Sequence, residues 1–367
     1  RVLRKFQATG RFEFFPTSEY HSDGSVTSRI DPSRRVEIEV RDRLVDATYL
    51  NVQVPSIRPP SYEIEDGASV VPINGLAHVG EPYRDYVVVG AGKTGIDAVL
   101  FLIDQGVDPG KIRWIVPNDS WFLDRPQIQP GRIVEFFVAP FDVILKADTV
   151  DDVFHGLEAD QQLLRLDSEV WPAKYRCATV NRDELAKIRS VGETIRLGRV
   201  NRILRDAIEL EAGTLPSHEK TLYADCTADG LARRPVRPVF EAGRITLQSL
   251  VMCQQVFSAS VIGHVAGMKT DDADRNALCG VVPHPEVPHD FLLCNYGTFR
   301  NVRAWAPRMP LFLDRNRLNF GHHDSLTRRL RLAWTLFRDV PGVMEHTASI
   351  LGKEGVSVDL PVSAEPA

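Results

Sequence analysis

Between residues 85 and 117 the chain reads DYVVVGAGKTGIDAVLFLIDQGVDPGKIRWIVP, and this stretch restricts the fold more tightly than any other. Tyr86 to Val89 is a continuous apolar run, as a strand buried on both faces requires. From Gly95 the period changes: Ile96, Val99, Leu100 and Ile103 recur at helical spacing. Gly106 is placed to cap that helix, Pro109 prevents its resumption, and Ile112 to Val116 supplies a second buried strand. Strand, glycine turn, helix and strand in about 30 residues make a right-handed βαβ unit.

The turn itself admits two chemistries. Gly92-Lys93-Thr94 looks like the end of a phosphate-binding P-loop, but that motif needs a glycine five positions before Gly92, and Val87 stands there. The dinucleotide pattern G-x-G-x-x-G is met in full by Gly90, Gly92 and Gly95, with Ala91, Lys93 and Thr94 in the free positions. Gly90 permits the tight turn, Gly92 lets the backbone approach a pyrophosphate, and Gly95 lets the helix pack against the strand. The helix N-terminus then offers free N–H groups to the phosphates. NAD or NADP is decided after the second strand, where a carboxylate holds a ribose 2′-hydroxyl and a basic group accommodates a 2′-phosphate. The chain offers neutral Asn118, acidic Asp119 and, a little later, Arg125, a divided signal tipped slightly to NADP.

Around this unit, GRFEFF (10 to 15), SVTSRI (25 to 30) and RRVEIEV (34 to 40) are separated by turn signals and predict an antiparallel meander. Pro55, Pro59 and Pro60 then forbid a continuing helix or central strand, which marks a crossing between domains. Residues 119 to 190 read as loop and helix, clearest at 151 to 166 and 181 to 191, where Asn181 and Glu184 form a capping-box pattern. Strands return over 193 to 230, and 325 to 340 reads as helix.

Several phrases together resemble the NAD(P)/FAD-dependent oxidoreductases related to flavin-containing monooxygenases. They are the glycine-turn unit extended to SWFLDR, then RCATVNRDELAKIR, DCTADGLA and LVMCQQVFSASVIGHV, and the resemblance runs from about residue 10 to 300. It implies an α/β fold of the two-dinucleotide-binding-domain flavoprotein type, with a Rossmann-like NAD(P) domain inserted in a remnant of a flavin-binding domain carrying the meander. The implied division is 1–80 for part of the flavin domain, 81–222 for the NAD(P) domain with a helical insertion at about 120–190, and 223–367 for the return to the flavin domain and a helical C-terminal region. The first crossing would be Ala47-Thr48 with Pro55, Tyr49 standing where such enzymes carry Gly. The second would be DCTADG, placing Asp225, Thr227, Ala228 and Asp229 near the flavin. The family often has Arg where this chain has Asn118, which leaves NAD and NADP both open.

Such enzymes bind the ADP half of FAD with an earlier glycine turn, and none of Gly10, Gly24, Gly67, Gly75 and Gly80 has that spacing. The chain, which begins at Arg1, is therefore expected to resemble such an enzyme with its first segment removed. The resemblance implies hydride transfer from NAD(P)H to FAD in the full-length parent, acting on a small-molecule substrate, with no catalytic residue identified. A non-catalytic NAD(P)-binding sensor or scaffold is the alternative.

Other chemistry finds little support. A net charge of −5 gives no reason to expect nucleic acid, and no run approaches the roughly 18 apolar residues of a membrane span. The five cysteines (177, 226, 253, 279, 294) have neither redox-pair nor zinc spacing, and a reduced, cytoplasmic protein is expected. Adjacent His322 and His323 in a strand would point to opposite faces, so no metal is expected. Oligomeric state is not legible.

Overall fold

The structure, a computed structural model, describes residues 2–52, 54–129, 132–227, 234–319, 322 and 324–359. The chain divides into two compact units, one of residues 1–46 with 240–245 and one of 47–239 with 246–367. That division runs through places other than residues 80 and 222.

The first unit holds an antiparallel meander of Ser18–Tyr20, Ser25–Ser28 and Arg35–Glu37, with Val26 opposite both Tyr20 and Val36. The expected first strand at 10 to 15 is corrected: a short helix, Val2–Gln7, precedes it and the strand begins only after Pro16, whose ring removes a ladder donor. Asp23 accepts from the Ser25 N–H and hydroxyl at 3.0 and 2.7 Å, and Gly24 takes a positive φ, which together shape the first hairpin turn.

The second unit is mixed α/β and centres on a five-stranded parallel sheet. In chain order its elements are β1 (Ser69–Pro72), β2 (Asp85–Val89), helix α1 (Lys93–Asp104), β3 (Ile112–Ile115), helix α2 (Arg182–Arg189), β4 (Glu193–Ile195) and β5 (Thr221–Asp225). The spatial order is β4-β3-β2-β5-β1 and every pair is parallel. β1, assigned from sequence to the segment before residue 81, is thus an edge strand of the same sheet as the glycine turn.

Both faces of the sheet are covered, which is why Tyr86 to Val89 of β2 and Leu222 to Ala224 of β5 read as continuous apolar runs. On one face Val88 and Trp114 pack with Ile96 and Val99 of α1 and with Leu185 and Ile188 of α2. On the other, Val87, Val89, Ile115 and Tyr223 meet Val200, Ile203 and Ile208 from a four-stranded sheet in which Val200–Ile203, Ala207–Leu210 and Gly213–Pro216 run antiparallel and Glu63–Ile64 adds a parallel edge. Full burial of Val87 and Val88 contributes about 1.5–3 kcal/mol each.

The expected helical insertion at about 120–190 is corrected in part. It carries a three-stranded sheet in which Ser120–Asp124 lies between Leu163–Leu164 and Lys174–Val180, the last of these parallel to it. Trp121, Phe122 and Leu123 are buried there, which needs a strand covered on both sides. The expected helix at 151 to 166 ends at Ala159, and the one at 181 to 191 is α2, closed by the predicted Asn181–Glu184 capping box. Trp121, Phe154, Tyr175 and Phe291 then build a separate core with helices Pro140–Lys146, Val150–Ala159, Pro288–Arg308 and Leu326–Lys353.

Candidate dinucleotide-binding site

The chain leaves β2, builds outward to β3 and β4, and returns across to β5 on the opposite side of β2. The strand order therefore reverses between β2 and β5, and open α/β sheets bind ligands at the carboxyl ends of the strands at such a point. Both the glycine turn and Asp225-Cys226-Thr227 lie there.

Each glycine has a separate geometric cause. Gly90 sits at φ +118° beside Cys226, whose N–H bonds the Val89 carbonyl at 2.9 Å. A β-carbon on Gly95 would overlap the Gly90 carbonyl oxygen, so the first turn of α1 reaches the strand only without one. Trp114 holds the turn from below, its indole Nε1–H donating to the Gly90 carbonyl at 2.9 Å. Gly92 differs: a β-carbon there would meet nothing within 4 Å, so it faces open space. As the N-cap of α1 it has no side chain to satisfy the first-turn N–H groups, which remain for a ligand.

Ala91 and Thr94 are half-buried beside Gly92. Lys93 is paired with Asp97 one turn along α1, so its ammonium is already partly compensated.

Past β3, Asn118 is exposed and Asp119 is buried. Asp119 takes both bonds of a bidentate pair with Arg196, at 2.8 and 3.0 Å, and Asp167 stands 3.3 Å from the same guanidinium. Arg196 follows β4 directly, and β4 lies beside β3, so the sheet brings together residues 77 positions apart. Arg196 was not singled out from sequence, because its pairing with Asp119 depends on β4 lying beside β3, which no local pattern announces. Arg125 turns elsewhere, bonding Glu184 at 2.7 Å and the Thr179 carbonyl at 3.1 Å.

At the end of β5, Asp225 is 2% exposed. One carboxylate oxygen accepts from the Thr227 N–H at 3.1 Å and hydroxyl at 2.6 Å, while Oδ2 has no bond of normal geometry and the Tyr62 phenol is the donor beside the carboxylate. The Tyr62 hydroxyl is likewise without a bond of normal geometry. Burial, then the Asp225 charge, push its phenol far above the ordinary range. Burial also pushes the Cys226 thiol up, with Asp225 adding to the effect, which keeps that sulfur protonated and unreactive at neutral pH.

The two crossing segments meet. Arg58 donates to the Thr227 carbonyl at 2.8 Å, and Tyr49 donates to the Pro235 carbonyl at 2.7 Å while its ring lies under the Arg237 guanidinium. Thr48 is exposed in this segment, whereas Ala228 and Asp229 lie outside the described residues. His323 does too, and among the described residues no group of three His, Cys, Asp or Glu side chains is placed to hold a metal ion. Cysteines remote in sequence do become neighbours: a hydrogen bond with Cys253, reinforced by burial and by Cys294, raises the Cys177 thiol well above its ordinary range. Among the described residues no helix is long and apolar enough to cross a membrane.

No protein-family model matches the chain. It is 42% identical over 318 residues, 85% of its length, to the uncharacterized protein Rv2000 of Mycobacterium tuberculosis strain H37Rv. The same figures hold for the uncharacterized proteins MT2056 of M. tuberculosis strain CDC 1551 and Mb2023 of M. bovis. The match covers 59% of each relative, so the chain spans less than two thirds of the length of the curated relatives it matches.

Proposed function

We propose that the glycine turn at the carboxyl end of β2 binds a nicotinamide dinucleotide and that the protein belongs to an NAD(P)H-dependent flavoprotein oxidoreductase of monooxygenase-like type. The observation that carries the reading is the contrast among the three glycines. Gly90 and Gly95 are explained by packing, whereas Gly92 opens onto empty space at an uncapped helix start, which packing alone does not require.

In this reading the N–H groups around Ala91 to Gly95 receive the pyrophosphate and the dipole of α1 favours its charge. Asn118 and the Asp119–Arg196 pair flank the adenosine ribose. Arg196 gives a 2′-phosphate a cation at the expense of part of its pairing with Asp119, and this favours NADPH over NADH.

The flavin half of the proposal rests on the resemblance of the two crossings and on the burial of Asp225 at the second of them. Asp225 and Thr227 would hold FAD, and Thr48 would border it. A bound flavin supplies the electron acceptor for a hydride from the nicotinamide. The chain's own part is to fix the pyrophosphate, orient the two crossings through Arg58 and Tyr49, and exclude water with the aromatic residues packed around the sheet.

Calorimetric titration with NADPH and NADH tests the first half. NADPH is expected to bind more tightly, and Gly92→Ala to weaken it at least tenfold; no binding of either dinucleotide overturns the reading. Visible absorbance of the purified protein, with and without added FAD, tests the second half. A protein that takes up no FAD and does not oxidise NAD(P)H removes the flavin while leaving the dinucleotide site standing.

A further inference from the structure

Helix Leu326–Lys353 changes character along its length. Its second half is seated in the core, where Val343, Ile350 and Leu351 are buried, and one side of its first half leans on the same core through Leu336 and Val340. A second side of that first half is bare. Leu326, Leu330, Trp334 and Phe337 are each at least 60% exposed, and their spacing of four, four and three residues puts them on one face of the helix. The Trp334 and Phe337 rings lie 6.2 Å apart, which joins that end of the stripe into one apolar surface. An exposed apolar surface of this kind marks an interaction site.

The charge around the stripe is as one-sided as its hydropathy. Residues 308–338 carry seven arginines and no lysine against two aspartates and no glutamate, a net +5 in a chain whose total is −5. Arg331 and Arg338 stand three residues before and four after Trp334, so both border the stripe. Among the described residues, Arg328, Arg329 and Arg338 are paired with Glu135, Asp314 and Asp339, whereas the exposed Arg315, Arg317 and Arg331 are in no ion pair.

A second copy of the chain answers this face poorly. A two-fold contact along the stripe would set Arg331 and Arg338 near their own copies, and between Leu326 and Arg338 the helix has no carboxylate to offset them. A groove that wraps a helix would collide with the core on its other side. A flat anionic surface meets both conditions, because it covers one face only and neutralises the arginines.

We propose that the first half of this helix docks on an anionic lipid surface, lying in the plane of the interface with Leu326, Leu330, Trp334 and Phe337 at the acyl boundary and the arginines at the headgroup phosphates. Tryptophan and arginine both suit that depth, each joining an apolar body to a polar end. The helix lies on the bilayer and does not span it. The proposal is independent of the glycine turn and holds whether or not a dinucleotide binds there.

The test is flotation of the full chain with vesicles of phosphatidylcholine alone and of phosphatidylcholine mixed in equal parts with phosphatidylglycerol. Binding to the mixed vesicles is expected to be at least tenfold tighter than to the neutral ones and to weaken as salt is raised. Trp334→Ser together with Phe337→Ser is expected to lose at least tenfold, and Arg331→Glu at least threefold on the mixed vesicles. Val256→Ser, which removes a comparably exposed apolar side chain from helix Gln255–Ala266, is expected to change nothing. All four positions are exposed, so the variants leave the packed core intact. Absence of binding, equal binding to neutral vesicles, or unchanged binding in the Trp334 and Phe337 double variant overturns the proposal. So does a dimer in sedimentation that the double variant dissolves without any vesicle binding, which would assign the face to a second copy of the chain.

Discussion

Gly90 runs so close to Cys226 that a β-carbon built on it would stand 2.7 Å from the Cys226 carbonyl oxygen. The glycine turn and the end of β5 are therefore a single packed unit, and the three glycines of the turn respond differently to the same change. Gly90→Ala suffers both that contact and an unfavourable positive φ, and Gly95→Ala drives a methyl into backbone. Each is expected to cost about 3 kcal/mol or more, read as a lower midpoint in urea denaturation. Gly92→Ala should stay within about 0.5 kcal/mol of the parent. A large loss of stability in Gly92→Ala would show that its open face is not open.

The Asp119–Arg196 pair supplies a second test. Arg196→Met leaves a buried carboxylate without its bidentate partner and is expected to destabilise by about 2 kcal/mol, a figure reduced because Arg196 is partly exposed. Asp119→Asn together with Arg196→Met should recover at least 1 kcal/mol of that loss, because no unpaired charge remains. Thermal denaturation of the four proteins of the cycle measures the coupling, and strictly additive losses would rule it out.

Tyr62 and Asp225 supply a third test. The Tyr62 phenol is held neutral beside the buried Asp225 carboxylate, toward which it donates. Tyr62→Phe keeps the ring but removes that donor, and is expected to lower stability by about 1 kcal/mol in equilibrium unfolding. Unchanged or higher stability would show that the hydroxyl does not serve the carboxylate.

The capping box of α2 carries a pH dependence. Burial acts to raise the Glu184 carboxyl, but the Asn181 N–H and the Arg125 guanidinium outweigh it and hold Glu184 below its ordinary value of 4.5. As pH falls, the unfolded chain takes up this proton first, so the contribution is complete above about pH 4.5 and is lost as pH passes through the folded value. Glu184→Gln should lower stability by about 1 kcal/mol at pH 7 and flatten the acid limb between pH 5 and pH 3. Asn181→Ala, which removes the cap bond to the Glu184 N–H at 2.8 Å, should cost a similar amount. Urea midpoints across that pH range give both, and parallel acid limbs for Glu184→Gln and the parent would contradict the assignment.

How much of this was legible beforehand depended on the range of the interactions. The βαβ unit was legible because its signals are local: a buried strand must be apolar, a helix must repeat its apolar face, and a turn at positive φ wants glycine. The capping box of α2 was legible for the same reason, since its partners are three residues apart. The first strand of the meander was placed too early because a Phe-rich run satisfies strand propensity even where no partner pairs with it. The strand Ser120–Asp124 read as loop because its neighbours lie some forty and fifty residues further on.

The sequence by itself determined the glycine turn, its strand and its helix, and with them the site at which a dinucleotide is proposed, because backbone sterics and periodicity act within a few residues. The tertiary structure decided what stands around that turn. Sheet order put Arg196 on Asp119 and Cys226 against Gly90, and chain crossing brought Arg58 to Thr227. Those pairings join residues from 77 to 169 positions apart, and only packing of the sheet and crossings specifies them.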